Sequence, residues 1–305
     1  MTARFGWIGV LALLIIGGIV AAYGSSDAHV DLSSAAEMWG DILRDVDDVG
    51  LHVTRVSDSD EIALGNRLAW QGPRRAGQRS PDTVYVAEVL ATLTPYVRRH
   101  GLPYSVEVVD LPFENAWAMP GGHIYITRNM LESLQSEAEL AAVLGHEIAH
   151  VDERHCVERF QYALKLKKIG LGDAGSLVDF ARQAVTIGYT KYEEADADAA
   201  GMRLMVAAGY DPAAAVQVMS RTALGKPART PPANPVSEGM RAGIQALGTY
   251  AASHPDSDDR VRRLTARMSA ERRQLRGRSF YIGVENYRQR IPKTRQSFPG
   301  EMRSA

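Results

Sequence analysis

The chain has 305 residues, of which 45% are hydrophobic and 23% are charged. This composition is typical of a globular protein and excludes a disordered chain, and the length suffices for one substantial core. The formal net charge of −1 argues against a general nucleic-acid binder, so no nucleic-acid partner is expected. A single cysteine, Cys156, excludes any disulfide within the chain.

The N-terminus carries a nearly unbroken apolar run at residues 5–23, which Arg4 precedes and acidic residues follow. The run is just long enough to cross a bilayer and longer than the core of a usual signal peptide. The positive-inside rule then places the rest of the chain across the membrane, in the periplasm or outside. We predict a retained membrane anchor; the alternative is a cleaved signal that leaves a soluble periplasmic protein.

The next segments predict helices joined by a linker. Residues 25–72 are acidic, and their apolar positions recur at helical spacing. A stretch rich in Gly, Pro and Arg at residues 71–81 predicts a linker. A helix is expected to follow at residues 83–100.

Two stretches then show the character of strands. "YSVEVVD" at residues 104–110 alternates apolar and polar positions, as a strand with one buried face does. "NAWAMPGGHIYIT" at residues 115–127 places a Pro-Gly-Gly turn between two further short strands. The sequence therefore predicts a small sheet.

Two long helices are predicted in the centre of the chain. A capping-box pattern at Ser136 and Glu139 opens the first, which is expected to continue to His155. The second is expected at roughly residues 175–208 and contains "YTKYEEADADAAG".

The C-terminal third is expected to be helical as well. Asp211 as cap and Pro212 in the first turn indicate another helix. A proline-rich loop at residues 225–239 follows it. A basic helical tail comes next, and "SFYIGVENY" near Phe280 indicates a late strand.

The stretch "LGHEIAHVDERH" at residues 144–155 contains three histidines. His146 and His150 are four residues apart, so on a helix they share a face and can aim imidazole nitrogens at one Zn²⁺. Glu147 is rotated away from that pair but can reach a water molecule on the metal. This H-E-x-x-H arrangement is typical of metallopeptidases and predicts one Zn²⁺ per chain. The alternative is a structural zinc site or no metal, but a structural site has no need of Glu147.

A catalytic zinc ion needs a third protein ligand, and the sequence offers two sources. His155 follows His150 by five residues without a glycine between them. On a continuing helix it would point about 140° away, which favours a hydrogen-bonding role. In "YTKYEEADADAAG", Glu194 and Asp198 are four residues apart on one helix face. One carboxylate can therefore bind the metal while another, a turn later, holds a ligand histidine.

With these motifs the chain resembles the membrane-associated zinc metallopeptidases that include HtpX, the mitochondrial Oma-type protease and the CAAX prenyl proteases. The resemblance covers roughly residues 84–270 and rests first on "GHEIAHVDERH". The family's S-R-x-x-E-x-E-A-D-x-x-G pattern matches in register at Thr190, Lys191, Glu194, Asp196, Ala197, Asp198 and Gly201. That register implies Glu194 as the third zinc ligand and Asp198 as the acid that orients a ligand histidine without binding the metal itself.

The resemblance also rests on an S-H-P motif followed by an arginine. Here it is formed by Ser253, His254, Pro255 and Arg260. In the family this histidine lies at the edge of the zinc site, where it either stabilises the transition state or gates the site. The resemblance thus implies a catalytic role for His254, which Arg260 is in a position to orient.

A fourth match is to the family's N-A-F-A-x-P-G-G strand. The implied substrate-binding residues are Asn115, Ala116, Trp117, Ala118 and Met119. In the family such a strand lies beside the cleft, where it can pair with an extended substrate by strand addition.

The resemblance implies a zinc-dependent metalloendopeptidase that hydrolyses peptide bonds of extended or misfolded proteins at the membrane or cell envelope, in protein quality control. Glu147 is expected to take a proton from the water that zinc activates, while zinc and His254 stabilise the oxyanion. The expected partners are protein or peptide substrates and, through the N-terminal segment, the membrane. One rival interpretation is a membrane-anchored chaperone or assembly factor with a latent zinc site. Another is a zinc hydrolase that acts on something other than a peptide.

The expected fold class is α+β and mainly α-helical, a zincin-like metallopeptidase domain with a small β-sheet flanking the active-site helix. The expected organisation has four parts. They are a signal anchor or signal peptide at residues 1–24, an acidic helical segment at 25–72, the zinc metallopeptidase domain at 73–277 and a basic C-terminal tail at 278–305.

Overall fold

The computed structural model of the chain describes residues 56–69, 80–159, 161, 189–223, 254 and 257–304. The chain divides into two units, Met1–Arg55 and Val56–Ala305, and all described residues belong to the second. The predicted apolar run, most of the predicted linker and the proline-rich loop lie outside the described residues. Within the described residues no helix has the length and apolar character needed to span a membrane.

A three-stranded sheet forms as the sequence predicts. Its strands are β1 (Ser105–Val109), β2 (Ala116–Met119) and β3 (His123–Thr127), in the order β1-β3-β2. β1 runs parallel to β3, and β2 runs antiparallel to it. Gly121 and Gly122 turn the chain between β2 and β3 with φ angles of 79° and 85°, a region that only glycine enters without strain.

Helix α2 (Pro81–Leu93) packs against β1, and helix α1 (Asp58–Leu68) precedes it in the chain. The Ser80 side chain caps α2 by accepting a hydrogen bond from a backbone N–H in its first turn. The prediction that this helix continues to residue 100 is wrong. Pro95 has no backbone N–H to continue the helical hydrogen bonds, so only the short 3-10 turn Thr94–Tyr96 follows.

A short helix α3 (Arg128–Ser133) leads into helix α4 (Glu137–Asp152), all of whose residues are buried. Ser136 caps α4 by accepting a hydrogen bond from the Glu139 backbone N–H at 3.1 Å. The predicted capping box forms only by half, because the Glu139 carboxylate accepts from the backbone N–H of Gln135 at 2.7 Å instead. α4 is therefore a core helix, and every polar side chain on it needs a partner inside the protein.

The prediction that this helix continues to His155 is also wrong. Helix α4 ends at Asp152, and Arg154 takes the left-handed conformation with φ 70°. This conformation costs a non-glycine residue roughly 1–2 kcal/mol. The buried Arg154 guanidinium donates to the carbonyl of Val56 at 2.6 Å and to Asp58 at 3.4 Å, which holds the turn in place.

Helix α5 (Lys191–Ala207) contains the acidic motif and begins later than predicted. Thr190 has extended backbone and caps the helix, and it forms a complete capping box with Glu193. The prediction of helix from residue 175 is therefore wrong at residues 189 and 190, while residues 175–188 lie outside the described residues.

Helices α4 and α5 pack closely where two glycines meet. A Cβ atom built on Gly201 would lie 2.8 Å from the backbone nitrogen of His146 and 2.9 Å from the carbonyl carbon of Gly145. Any side chain at this contact would push the two backbones apart. The glycine pair thus sets the distance between the helix with the H-E-x-x-H motif and the helix with the acidic motif.

The remaining elements complete the fold around α4. They are α6 (Ala213–Ala223), α7 (Ser257–Gln274), β4 (Ser279–Tyr281), α8 (Val284–Gln289) and β5 (Met302–Ser304). α6 packs against α4 and α7, and β4 pairs with β5 in a second, antiparallel sheet. The late strand predicted in "SFYIGVENY" is therefore confirmed at Ser279–Tyr281, whereas residues 284–287 belong to α8.

The C-terminal segment caps the start of α4. The carbonyls of Gly283 and Ile282 accept hydrogen bonds from the backbone N–H groups of Glu137 and Ala138 at 3.0 and 2.9 Å. Backbone N–H groups in the first turn of a helix have no acceptor within that helix, so the C-terminal segment supplies the acceptors for α4. Side chains of the sheet, α2, α4, α5 and the C-terminal segment share one core, and the predicted class of a mainly helical α+β fold is confirmed.

The glycine contact yields a prediction about stability. Gly201→Ala is expected to lower the free energy of unfolding by about 1–3 kcal/mol, because the added methyl group overlaps the α4 backbone. Gly300→Ala is the matched control, since a Cβ atom there meets nothing within 4 Å. Urea unfolding of both variants measures the difference. Equal stability of the two variants would contradict a close helix contact.

Candidate metal centre

Two histidines of α4 and one carboxylate of α5 meet at one buried point. The Nε2 atoms of His146 and His150 are 3.0 Å apart. Glu194 places Oε2 3.4 Å from Nε2 of His146 and Oε1 3.7 Å from Nε2 of His150. The i, i+4 spacing on α4 and the close approach of α5 together produce this convergence.

His254, three residues before α7 begins, joins the same cluster. Its Nδ1 atom lies 2.7 Å from Oε1 of Glu194 and 3.2 Å from Nε2 of His146. The four donor atoms lie within 4.8 Å of one another. Ligand atoms at about 2.0–2.2 Å from a tetrahedral zinc ion are roughly 3.3–3.6 Å apart, so the cluster has the donor types and the spacing that zinc requires.

Glu147 lies beside this cluster and is fully buried. Among the described residues, its two carboxylate oxygens have no hydrogen-bond partner. The imidazole Nε2 atom of His254 is 3.5 Å away. Burial raises the pKa of the Glu147 carboxyl above its usual value. An unsatisfied carboxylate in the interior is costly unless a ligand completes the site, and its place beside these donors fits a metal ion with a bound water.

Arg260 is fully buried and ties together the acids behind the cluster. Its Nη2 and Nε atoms donate to the two oxygens of Asp198 at 2.7 and 3.0 Å, and its Nη1 lies 2.8 Å from Oε2 of Glu194. Asp198 in turn contacts Nδ1 of His146 at 3.1 Å. Nη1 of Arg260 also donates to the backbone carbonyl of His254 at 3.4 Å. Arg260 therefore connects Asp198, Glu194 and the backbone of His254.

Burial and charge act against each other in the pKa values of the centre. Burial would raise the pKa of Glu194 and of Asp198, but Arg260 and the neighbouring histidines together outweigh it and hold both pKa values below their usual range. Burial and Arg260 lower the pKa of His146, but Asp198 and Glu194 outweigh them and raise it to about 9. Burial lowers the pKa of His150 well below its usual value.

Two residues outside the predicted set contact His150. Nδ1 of His155 lies 3.1 Å from Nδ1 of His150. The Tyr189 ring stacks on the His150 imidazole with a centroid distance of 3.5 Å and an interplanar angle of 13°. The sequence offers no spacing signal for Tyr189, because only the fold brings the residue before the α5 cap over the α4 face.

The predicted substrate-binding residues lie on β2 and just before it. β2 is an edge strand of the three-stranded sheet and packs against α4. The backbone N–H of Thr127 donates to the Asn115 carbonyl at 2.8 Å, and the Asn115 N–H donates to the Thr127 hydroxyl at 3.0 Å. Trp117 stacks on Tyr125 at a centroid distance of 5.2 Å. The strand thus borders the helix that contains the metal-site histidines.

Comparison with known proteins gives a match over most of the described part of the chain. The sequence model of "Peptidase family M48" matches residues 81–268. The mitochondrial metalloendopeptidase OMA1 of Schizosaccharomyces pombe is 28% identical over 269 residues, which cover 86% of this chain and 71% of the relative.

Two further relatives match a shorter region. The mitochondrial metalloendopeptidase OMA1 of Arabidopsis thaliana is 29% identical over 171 residues, and the putative beta-barrel assembly-enhancing protease of Vibrio cholerae is 31% identical over 150 residues. These matches cover 54% and 41% of this chain. The matched region spans 31% of the length of each of these two relatives.

The position of Arg260 yields a second prediction. Arg260→Met is expected to lower the free energy of unfolding of the metal-free protein by about 3–5 kcal/mol, because two buried carboxylates lose their counter-charge. Added Zn²⁺ is expected to restore part of the loss, since it brings positive charge to the same carboxylates. Urea unfolding with and without Zn²⁺ measures both effects.

Arg262→Met is the control for this experiment. It removes the same group two residues further along α7, from a side chain that is 71% exposed. Exposed ion pairs contribute little, so this variant is expected to unfold like the wild type. A similar loss in the two variants would show that Arg260 has no special electrostatic role.

Proposed function

Since the chain belongs to peptidase family M48 and is a zinc metalloendopeptidase, we propose that His146, His150 and Glu194 hold the zinc ion and that Glu147 is the general base. The observation that carries this assignment is the buried, unsatisfied carboxylate of Glu147 beside a converging set of metal donors. A structural zinc site would need no such acid.

The proposed mechanism divides the work between the metal and this chain's own residues. When bound, zinc lowers the pKa of a water molecule and polarises the carbonyl of the scissile peptide bond. Glu147 takes the proton from that water and later gives it to the leaving amine. The burial that raises the pKa of Glu147 suits this exchange, because it makes the carboxylate a better proton acceptor.

Asp198 and Arg260 have supporting roles in this proposal. Asp198 accepts a hydrogen bond from Nδ1 of His146, which leaves Nε2 free to face the metal. Arg260 keeps Asp198 and Glu194 ionised, as ligation and this hydrogen bond require. Both residues thus maintain the donor set without contacting the substrate.

His254 has a position from which it can control access to the site. Its Nδ1 atom supplies a fourth donor beside His146 and Glu194, and its Nε2 atom faces Glu147. A substrate carbonyl has to enter where this imidazole lies. We therefore favour the gating role over stabilisation of the transition state for the described conformation.

The proposed substrates are extended or misfolded proteins. The edge position of β2 next to α4 supports this, because an extended chain can add to such an edge through backbone hydrogen bonds. The residues that would receive it are Asn115, Ala116, Trp117, Ala118 and Met119. Relatives are named as mitochondrial metalloendopeptidases and as proteases that enhance β-barrel assembly. We extend this to protein quality control at a membrane or cell envelope.

The proposed location follows from the N-terminal sequence. An anchor at residues 5–23 would hold the peptidase at the membrane, in the periplasm or outside, and cleavage would release it. Expression of the full chain followed by membrane fractionation and N-terminal sequencing decides between the two forms.

Glu147→Gln tests the catalytic assignment. The variant is expected to keep about one zinc ion per chain and to lose casein cleavage, because the amide cannot accept the proton. Zinc is measured by elemental analysis and cleavage by release of labelled peptides. Glu132→Gln makes the same change at an exposed position of α3 and is expected to cleave normally. Cleavage by Glu147→Gln at the wild-type rate would refute the proposed mechanism.

His254→Ala tests the gating role. The variant is expected to retain zinc through the other three ligands and to cleave casein faster than the wild type, because the fourth position is open. His100→Ala changes an exposed histidine and is the control. A fall in kcat of about 100- to 1000-fold would instead assign His254 to stabilisation of the transition state.

A further inference from the structure

We propose that His155 is a positioning residue for the zinc ligand His150, and that Tyr189 restrains the same imidazole by stacking on it. This inference rests on the proposed zinc site and adds residues to it. It concerns how the second histidine of the H-E-x-x-H motif acquires its tautomer and orientation. The H-E-x-x-H motif itself contains neither residue.

The hydrogen-bond chemistry of His150 requires an acceptor behind it. Its Nε2 atom faces His146 and Glu194, so this nitrogen is the one that binds the metal. A neutral imidazole that ligates through Nε2 keeps its proton on Nδ1. That Nδ1 lies 3.1 Å from Nδ1 of His155. His155 therefore accepts the hydrogen bond and carries its own proton on Nε2.

The Nδ1 atoms of the two proposed histidine ligands thus face hydrogen-bond acceptors of different charge. Nδ1 of His146 meets the carboxylate of Asp198 at 3.1 Å, whereas Nδ1 of His150 meets a neutral imidazole at the same distance. An anionic acceptor and a neutral one meet the same geometric need. With Glu194, Asp198 and Glu147 already in the centre, a neutral acceptor adds no further buried negative charge.

Tyr189 restricts the remaining freedom of the His150 ring. The two rings are nearly parallel at 3.5 Å, so His150 cannot rotate out of its plane on that side. The Tyr189 hydroxyl lies 3.3 Å from Sγ of Cys156, which holds the tyrosine itself. His155 thus fixes the imidazole at its edge and Tyr189 fixes it at its face.

The left-handed turn at Arg154 is what delivers His155 to this position. On a continuing helix His155 would point away from His150, but the left-handed residue Arg154 interrupts the helix before His155. The turn is strained for a non-glycine residue, and such strain persists only where surrounding contacts maintain it. Val56 and Asp58 supply those contacts through the Arg154 guanidinium. A strained turn next to a ligand points to a functional reason for the position of His155.

His155 itself does not belong to the donor set. Among the described residues, the group that can hold a metal consists of His146, His150, Glu194 and His254. The imidazole of His155 lies on the far side of His150 from that group, at a centroid distance of 5.2 Å from the His150 ring. It acts on the metal only through His150.

The test compares variants of His155 that keep or lose the acceptor. His155→Phe keeps a ring but removes the nitrogen, whereas His155→Asn places an amide oxygen close to where Nδ1 lies. His100→Phe makes the first change at an exposed histidine and is the control. Zinc affinity is measured by competition with a chelator, and the Co²⁺-substituted proteins are compared by their visible absorption. Thermal unfolding of the metal-free proteins reports on folding.

His155→Phe is expected to weaken zinc binding by about 10- to 100-fold and to shift the Co²⁺ absorption bands. His155→Asn is expected to recover most of the affinity and the wild-type spectrum. Equal losses in the Phe and Asn variants would overturn the inference, since packing alone would then explain them. Unchanged affinity in the Phe variant would overturn it as well.

Two further variants separate a folding defect and a failure of the zinc site from a failure of the role of His155. If His155→Phe does not fold, His155→Leu replaces it in the same comparison with His155→Asn. His146→Leu is expected to abolish zinc binding outright. If the wild type and His146→Leu bind zinc equally, the proposed site itself fails and the inference falls with it. If only the His155 comparison fails, the zinc site stands without this positioning residue.

Discussion

The structure depends on burying several charged groups at one point inside a helical core. Glu147, Glu194 and Asp198 lie out of water, and Arg260 is the fully buried cation that pairs with two of them. An isolated charge in such a place would cost several kcal/mol, so each group depends on its neighbours and on the metal. A divalent cation at this point would balance the negative charge that Arg260 leaves.

The architecture around this point serves to bring two helices into close contact. Gly145 and Gly201 let the backbones of α4 and α5 approach, which sets Glu194 opposite the histidines. The C-terminal segment caps the start of α4, and the buried carboxylate of Glu137 there accepts hydrogen bonds from Tyr85 and Tyr210 at 3.1 and 2.9 Å. Packing and capping far from the metal thus determine the position of the helix that binds it.

Function follows from which groups this arrangement leaves unsatisfied. Most buried polar groups of the centre contact one another, whereas Glu147 retains an uncompensated carboxylate that faces the donor cluster. This fits the proposed role of Glu147, since a general base has to be available to water and substrate. His254 lies between Glu194 and Glu147, which is the position that the proposed gating role requires.

The sequence by itself determined the motif chemistry. The i, i+4 spacing of His146 and His150 is a local property of any helix, and the family pattern chose Glu194 in register. Helix ends were less predictable, because Pro95, Thr190 and Arg154 act through local backbone chemistry that periodicity does not show. Only the tertiary structure decided which residues contact the proposed ligand His150 on the sides that do not face the metal. The left-handed turn at Arg154 and the approach of Tyr189 depend on contacts between residues far apart in the chain, which no spacing within one helix can specify.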